Sequence, residues 1–520
     1  MQKRGKTALT LVGFAVMLAA LLALMVSIGA GKDGFDIDEF FTYGLANSYH
    51  QPFLSAQTGS WISGKAFSDY LTAKGHAHEY LNVYENQIAD VHPPLYYLFM
   101  HAVCSAFQNP PFTKWTGIGL NLFFFSLTQF GLLLLSTRLL SDGEKPELTP
   151  PALLPGLLYG LSAGAASGVV FIRMYAMMTM WAVWLALALV ELFIHGQTVW
   201  RMRALAAVLI AGFLTQYYFV ILACMLCGVY FFARLARREF ETAGRFALWC
   251  FFALALAVGL FPWCLNHIFG GYRGRGAIES AAGVRLNDMI RWFKILWQTL
   301  DAQQFGGFLL ALVLIGAALA FWPLKKAGQG LKRGAAFSLW ALLACGAYVL
   351  VIAVISPYKV DRYIFCVYPL VTAALFMLFA RGGCRFGSRR GSACLLACAV
   401  LAACGARVNR DQQVHYLYPG DSAYVAACEE NAALPCVLLG TNDMTQNTLE
   451  LAAFERVYML NADDAQGVAP ALEALDEKPD GFILFERYHD EANVETVLRE
   501  TGLESAELLF EHQYHVYWVH

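Results

Sequence analysis

Apolar residues in this chain come in long unbroken runs, separated by short polar connectors, up to about residue 407. A run of about 20 apolar residues is enough to carry a helix across a hydrocarbon core of roughly 30 Å. Such runs lie between Lys6 and Lys32 and near residues 117–137, 151–170, 174–195, 204–214, 216–234, 246–265, 304–323, 335–355, 363–381 and 391–406. They predict an α-helical polytopic membrane protein with about eleven transmembrane helices. The stretch 93–108 is also apolar, but it is short, opens on two prolines and carries His101, so it reads as a re-entrant or surface-lying helix. The pair 204–214 and 216–234 reads as two helices meeting at a polar break, Thr215-Gln216-Tyr217-Tyr218.

Beyond residue 407 the pattern changes to that of a water-soluble fold. Short strand-like runs (Val437–Leu439, Val457–Leu460, Phe482–Phe485) alternate with helical stretches near 443–455, 467–475 and 491–501, and Leu508–His520 reads as one or two closing strands. The expected organisation is a membrane domain over 1–407, with a first outer loop at 31–116, and a small α/β domain over 408–520.

Composition agrees with the pattern: 520 residues, 58% hydrophobic, 15% charged, with mean hydropathy +0.49. A soluble protein is excluded. The formal net charge of −2 gives no sign of nucleic acid as a partner. Lys3, Arg4 and Lys6 place the N-terminus in the cytoplasm as an uncleaved anchor, and the basic connectors (Arg138 with Lys145, Arg201 with Arg203, Arg234–Arg245, Lys325–Arg333, Arg381–Arg390) face the same side. Eleven crossings then put the α/β domain outside the plasma membrane. Thirteen cysteines lie mostly in apolar segments without metal-ligand spacing, and only Cys428 and Cys436 fall where a disulfide is an open alternative.

The polar signals gather on the outer connectors. Asp36, Asp38 and Glu39 follow the first span at once, where a partly dehydrated carboxylate suits a general base, and where charge alone also reads as acids capping a helix start. His92, beside Asp90, precedes Pro93-Pro94, which stiffen the chain and hold the imidazole in place for a ligand contact. Arg173 and Tyr175 occupy one junction of apolar runs, and Lys359, Arg362 and Tyr363 another. Cations at membrane depth face a polar cavity or an anion, or else snorkel to headgroups. A guanidinium grips phosphate oxygens through paired hydrogen bonds, which a lysine supplements as a point charge. The loop at 266–303, with Tyr272, Arg273 and Arg275 among glycines, reads as a mobile lid or a disordered basic loop.

Together these residues resemble the polytopic C-type glycosyltransferases, in particular bacterial relatives of the protein O-mannosyltransferases and of the lipid A aminoarabinose transferase. The resemblance spans about residues 8–380 and is carried by Asp38-Glu39, His92-Pro93-Pro94-Leu95-Tyr96-Tyr97, Arg173-Met174-Tyr175, Thr215–Tyr218, Pro262-Trp263 and Lys359–Tyr363 followed by Pro369. It implies a polyprenyl-phosphate-linked sugar donor, an acceptor at the outer face and inversion at the anomeric carbon. On that resemblance Asp38 is the base and Glu39 orients it or the acceptor. Arg362 and Lys359 neutralise the departing phosphate, His92 and Arg173 position donor or phosphate, and Tyr175, Tyr217 and aromatic neighbours such as Tyr363 line the sugar or prenyl groove.

The chain lacks the inserted β-trefoil-type domain of the protein mannosyltransferases, which weakens the case for a protein as acceptor; the sequence itself leaves glycan, lipid and protein open. No obligatory cofactor is expected. A divalent metal stays open, although Asp38, Glu39, Asp90 and His92 lack a ligand spacing. Two competing classes are a transporter or flippase of a lipid-linked or anionic substrate, and a non-catalytic envelope assembly protein. The first should place charges near the bilayer midplane, whereas here they crowd one face.

Overall fold

A computed structural model of the chain describes residues 2–141, 146–321, 329–383, 414–442, 444–477 and 479–520. The 408 boundary and the expected span at 391–406 lie outside the described residues, as do most of the basic connectors Lys325–Arg333 and Arg381–Arg390. The chain forms two compact units. One comprises Met1–Gly29, Asp90–Tyr96 and Ile118–His415; the other comprises Ala30–Ala89, Tyr97–Gly117 and Tyr416–His520.

The first unit is helical, and it makes the chain an integral membrane protein. Among the described residues, seven helices are long and apolar enough to span: Thr7–Ala30, Lys114–Leu140, Tyr175–His195, Tyr218–Ala236, Phe240–Leu260, Leu331–Ile355 and Asp361–Gly382. Two bent pairs, Pro150–Gly160 with Ala163–Val170 (66°) and Leu286–Phe305 with Leu309–Phe321 (76°), have the length and apolarity of a span when taken together, in the form of a broken span or a re-entrant loop. Prolines and glycines mark the breaks. Pro262 follows Leu260, Pro357 follows Ile355, and Gly306 ends Leu286–Phe305 in the left-handed conformation (φ 61). Asp361–Gly382 is enclosed on all sides, while Phe240–Leu260 presents Phe251, Phe252 and Leu256 outward, as a lipid-facing helix must.

The two short apolar stretches and the expected basic loop are all helical. Val199–Thr215 is a 17-residue helix, about 25 Å long, and is short for a crossing. Leu95–Ala106 has 12 residues, about 18 Å, which agrees with a helix that does not cross. The stretch 266–303, expected as a loop, instead forms Cys264–Phe269, Tyr272–Gly283 and Leu286–Phe305. Its glycines and charges hide the period, because Arg291 and Lys294 fall on one polar stripe while Leu296, Leu300 and Phe305 are buried on the other.

The second unit is an α/β fold around a six-stranded sheet ordered β1-β3-β2-β4-β6-β5. Its strands are β1 Trp61–Ile62, β2 Cys436–Leu439, β3 Val457–Leu460, β4 Phe482–Glu486, β5 Ala506–Glu511 and β6 His515–Val519. The central strands β3, β2 and β4 are parallel and the outer ones antiparallel. Alternation builds two cores, one per face: Leu438, Ile483 and Phe485 point one way, Val437, Phe482 and Leu484 the other. Cys428 and Cys436 are buried in the first of these cores as free thiols, which closes the disulfide alternative.

Most of the connector 31–116 belongs to this unit. Trp61 and Ile62 pair with Tyr458 and Val457, Phe67 of the helix Lys65–Tyr70 enters the core, and Gly64 lies so close to the Phe454 carbonyl that a Cβ would stand 2.2 Å from its oxygen.

Candidate active site

In the second unit, the acid-rich segment starts the helix Ile37–Asn47. Asp36 is its N-cap: one carboxylate oxygen accepts the Asp38 N–H at 2.9 Å, while Glu39 Oε2 accepts the Asp36 N–H at 2.8 Å. This reciprocal box is the helix-capping reading of the acids, and it occupies Asp36 and Glu39. Asp38 contributes its backbone to the box, and the residue is half-buried in the first turn.

Glu39 has a second partner, Lys32, at 2.9 Å, with both side chains wholly buried. Lys32 also donates to the Tyr416 carbonyl at 2.7 Å and lies over the rings of Phe35 (5.3 Å) and Tyr418 (5.2 Å). A buried ammonium is tolerable only with such a complete set of partners.

In the first unit, the proline-stiffened motif is locked through Asn121, a residue that sequence reasoning missed. The Tyr96 hydroxyl donates to Asn121 Oδ1 at 3.0 Å, and Asn121 Nδ2 donates to the carbonyls of Val169 (3.0 Å) and Phe171 (2.8 Å) at the end of Ala163–Val170. The Arg173 N–H donates to the same Phe171 carbonyl at 2.8 Å, so this network fixes the backbone that presents Arg173. His92 Nδ1 meets Asp90 Oδ2 at 2.8 Å. Burial alone would raise the Asp90 carboxyl, but the His92 charge and hydrogen bond, with the Arg173 guanidinium beyond, hold it below the usual carboxylate range.

Arg362 belongs to an aromatic group with Phe171, Tyr175 and Tyr363. Its guanidinium lies over Phe171 (5.3 Å) and Tyr363 (5.9 Å); Phe171 stacks on Tyr175 at 5.9 Å, and Tyr175 and Tyr363 are 6.0 Å apart. Backbone order comes from Asp361, whose Oδ1 accepts the Arg362 N–H at 2.8 Å. Its Oδ2 binds Gln303 (3.0 Å) and His415 (2.7 Å), and Gln303 accepts the Tyr368 hydroxyl at 2.7 Å. The hydrogen bond to Asp361 raises the His415 imidazole above its ordinary value. Lys359 is engaged elsewhere, donating to the Ser356 carbonyl and lying 5.8 Å over Trp292.

His267 is a second residue that the sequence did not signal. It is buried on Cys264–Phe269, with Nδ1 at 2.9 Å from the Tyr217 hydroxyl. Among the described residues no three His, Cys, Asp or Glu side chains gather as a metal site.

No family model and no curated protein matches this sequence. Among solved structures, ArnT from Cupriavidus metallidurans bound to undecaprenyl phosphate aligns over 98% of both chains, with a TM-score of 0.53 at 10% identity. This chain has the C-type glycosyltransferase fold. The C-type fold also gives weaker overlaps: the apo form of the same ArnT (TM-score 0.48, 10% identity, 98% of both chains), and the Archaeoglobus fulgidus oligosaccharyltransferase AglB with an inhibitory peptide and a dolichol-phosphate (TM-score 0.46, 11% identity, 93% of this chain and 68% of that one). At such identities the likeness speaks to the fold, and the chemistry must be argued from side chains.

Proposed function

We propose that this chain is an inverting glycosyltransferase that moves a sugar from a polyprenyl-phosphate donor to an envelope acceptor on the extracytoplasmic face of the plasma membrane, with its N-terminus in the cytoplasm. The observation that carries the reading is Arg362, a guanidinium set on aromatic faces at a break between apolar helices, in a fold whose solved neighbour was captured with undecaprenyl phosphate. Its planar fork suits phosphate oxygens, and its aromatic bed suits a site next to lipid.

In the proposed reaction the acceptor hydroxyl oxygen attacks the anomeric carbon as the bond from that carbon to the phosphate oxygen breaks. Asp38 takes the hydroxyl proton and later releases it to water. The donor is a phosphodiester with one negative charge; the departing polyprenyl phosphate carries one more. Stabilising that extra charge is the work of Arg362, with Arg173 and the His92–Asp90 pair holding the donor, and it favours the transition state over the ground state. Tyr175 and Tyr363 line the sugar or prenyl path, and Lys359 adds positive charge from farther out. Glu39 acts on Asp38 through the helix cap and through Lys32 rather than on substrate. Because the leaving group is stabilised by guanidinium charge, we propose that no metal is obligatory, and transfer should survive a chelator.

The acceptor, whether glycan, lipid or protein, and the identity of the sugar follow from one experiment. Envelope glycans of cells carrying the wild-type chain or Asp38→Asn are compared by mass spectrometry. A sugar that disappears with Asp38→Asn, at equal protein level in the membrane, supports the proposal. An unchanged glycan profile overturns it.

A further inference from the structure

The segment that opens the C-terminal part of the second unit runs along the acid-bearing loop. The Asp33 N–H donates to the Leu417 carbonyl at 2.7 Å, the Gly420 N–H donates to Asp33 Oδ2 at 2.8 Å, and Gln446 Nε2 donates to the Phe35 carbonyl at 2.8 Å. Gly34 lies so close to Asp421 that a Cβ would stand 2.3 Å from its Oδ2. No side chain larger than glycine's fits there without displacing the strap.

Within this strap Tyr416 and Tyr418 both hold left-handed backbone, with φ 68 and φ 50. Bulky residues take that conformation at a cost, and keep it when the surroundings over-determine it. Here the surroundings are specific. The Tyr416 carbonyl receives Lys32 Nζ, and the Tyr418 hydroxyl donates to Asp36 Oδ2 at 2.9 Å. The other oxygen of the same carboxylate accepts the Asp38 N–H at 2.9 Å. One carboxylate thus bridges a tyrosine of the C-terminal segment and the backbone of the candidate base.

We propose that Tyr418 is a positioning residue for Asp38, acting through the Asp36 carboxylate, and that this is what the C-terminal α/β fold contributes to transfer. The inference rests on Asp38 being the base. The hydroxyl fixes the rotation of the Asp36 side chain; the fixed carboxylate sets the first turn of Ile37–Asn47; and that turn sets the direction of the Asp38 side chain. A misdirected base loses rate without losing donor affinity.

The test uses the full-length chain in detergent with Tyr418→Phe, Asp36→Asn, the double variant, Asp38→Asn and, as a control elsewhere in the same fold, Tyr488→Phe. Two quantities are read: deuterium uptake by the amides at the start of Ile37–Asn47, and the kinetics of transfer from polyprenyl-phosphate sugars, with binding of undecaprenyl phosphate measured alongside. Tyr418→Phe should speed exchange at the helix start and lower kcat by about tenfold, the loss expected from one hydrogen bond to a charged group, with KM and undecaprenyl phosphate binding unchanged. The double variant should be no worse than the poorer single, and Tyr488→Phe should match wild type.

Unaltered exchange in Tyr418→Phe overturns the inference whatever the kinetics, as does an unaltered kcat alongside an inactive Asp38→Asn. An active Asp38→Asn overturns the base assignment itself and the positioning claim with it, and is recognised because it appears in a chain whose Tyr418 and Asp36 are intact.

Discussion

Glu39 stands beside the candidate base, and whether it acts on substrate or on structure can be decided by removing its partner. Lys32 and Glu39 are both at 0% exposure and 2.9 Å apart. Lys32→Met takes the ammonium away from the buried Glu39 carboxylate, which keeps the hydrogen bond from the Asp36 N–H, and Glu39→Gln leaves a buried ammonium facing an amide. Breaking a buried pair from one side costs about 3–5 kcal/mol, because the remaining charge is uncompensated. The double variant carries no buried charge, and Gln can still serve as the third residue of a capping box. Its main loss is the hydrogen bond from Lys32 to the Tyr416 carbonyl, about 1 kcal/mol. The double variant should therefore be at least about 2 kcal/mol more stable than either single variant, a coupling of at least about 5 kcal/mol between the two sites. Thermal unfolding of the purified chain and transfer in membranes are measured for all four forms. On the structural reading both stability and transfer fall in each single variant and return in the double. Stability that returns while transfer stays absent would refute it and make Glu39 a chemical participant.

Other outcomes follow from the same geometry. Arg362→Lys keeps the charge but loses the contact with the Phe171 and Tyr363 faces, worth about 0.5–2 kcal/mol, so undecaprenyl phosphate should bind less tightly, and less tightly still to Arg362→Ala; equal affinity of all three would contradict the phosphate assignment. Gly64→Ala forces a methyl against the Phe454 carbonyl and should cost about 1–3 kcal/mol, read as a lower melting temperature and faster proteolysis between Trp61 and Tyr70. His512 lies 3.5 Å from Glu450 and 4.0 Å from Asp421, with Tyr424 stacked on its ring, and the Glu450 carboxylate beside it raises its imidazole above the ordinary value. Its contribution to stability is thus complete below about pH 6.5 and is lost as pH rises through the raised value. The melting temperature of the wild type should show that fall, and His512→Gln should show less of it, the remainder belonging to His415, which is raised in the same direction.

The membrane helices were legible because a bilayer demands long apolar runs. The strands β2, β3 and β4 were legible because four or five apolar residues between helical stretches are too few for a helix and too apolar for a surface loop. Local signals also carried the cap: Asp36 and Glu39 are three apart, the spacing of the capping box. What escaped depends on partners far along the chain. β1 has two residues and exists only through Val457 and Tyr458. Lys32 looks like the end of an anchor until Glu39 and Tyr416 close around it. Asn121, one polar residue on an apolar helix, gave no hint that it holds the carbonyl behind Arg173. Tyr418 lies in a segment with no periodicity, and its meaning comes from Asp36, 382 positions away. The helices of 264–305 were obscured by glycines and charges that usually mark loops.

The most direct test of the central claim is the stereochemistry and base-dependence of the transfer itself. Membranes carrying the chain are supplied with polyprenyl-phosphate sugars of known anomeric configuration, and the product linkage is determined by NMR together with released polyprenyl phosphate. The account predicts an inverted linkage, release of polyprenyl phosphate in equal amount, and loss of both with Asp38→Asn. A retained configuration, or undiminished transfer by Asp38→Asn, would contradict it.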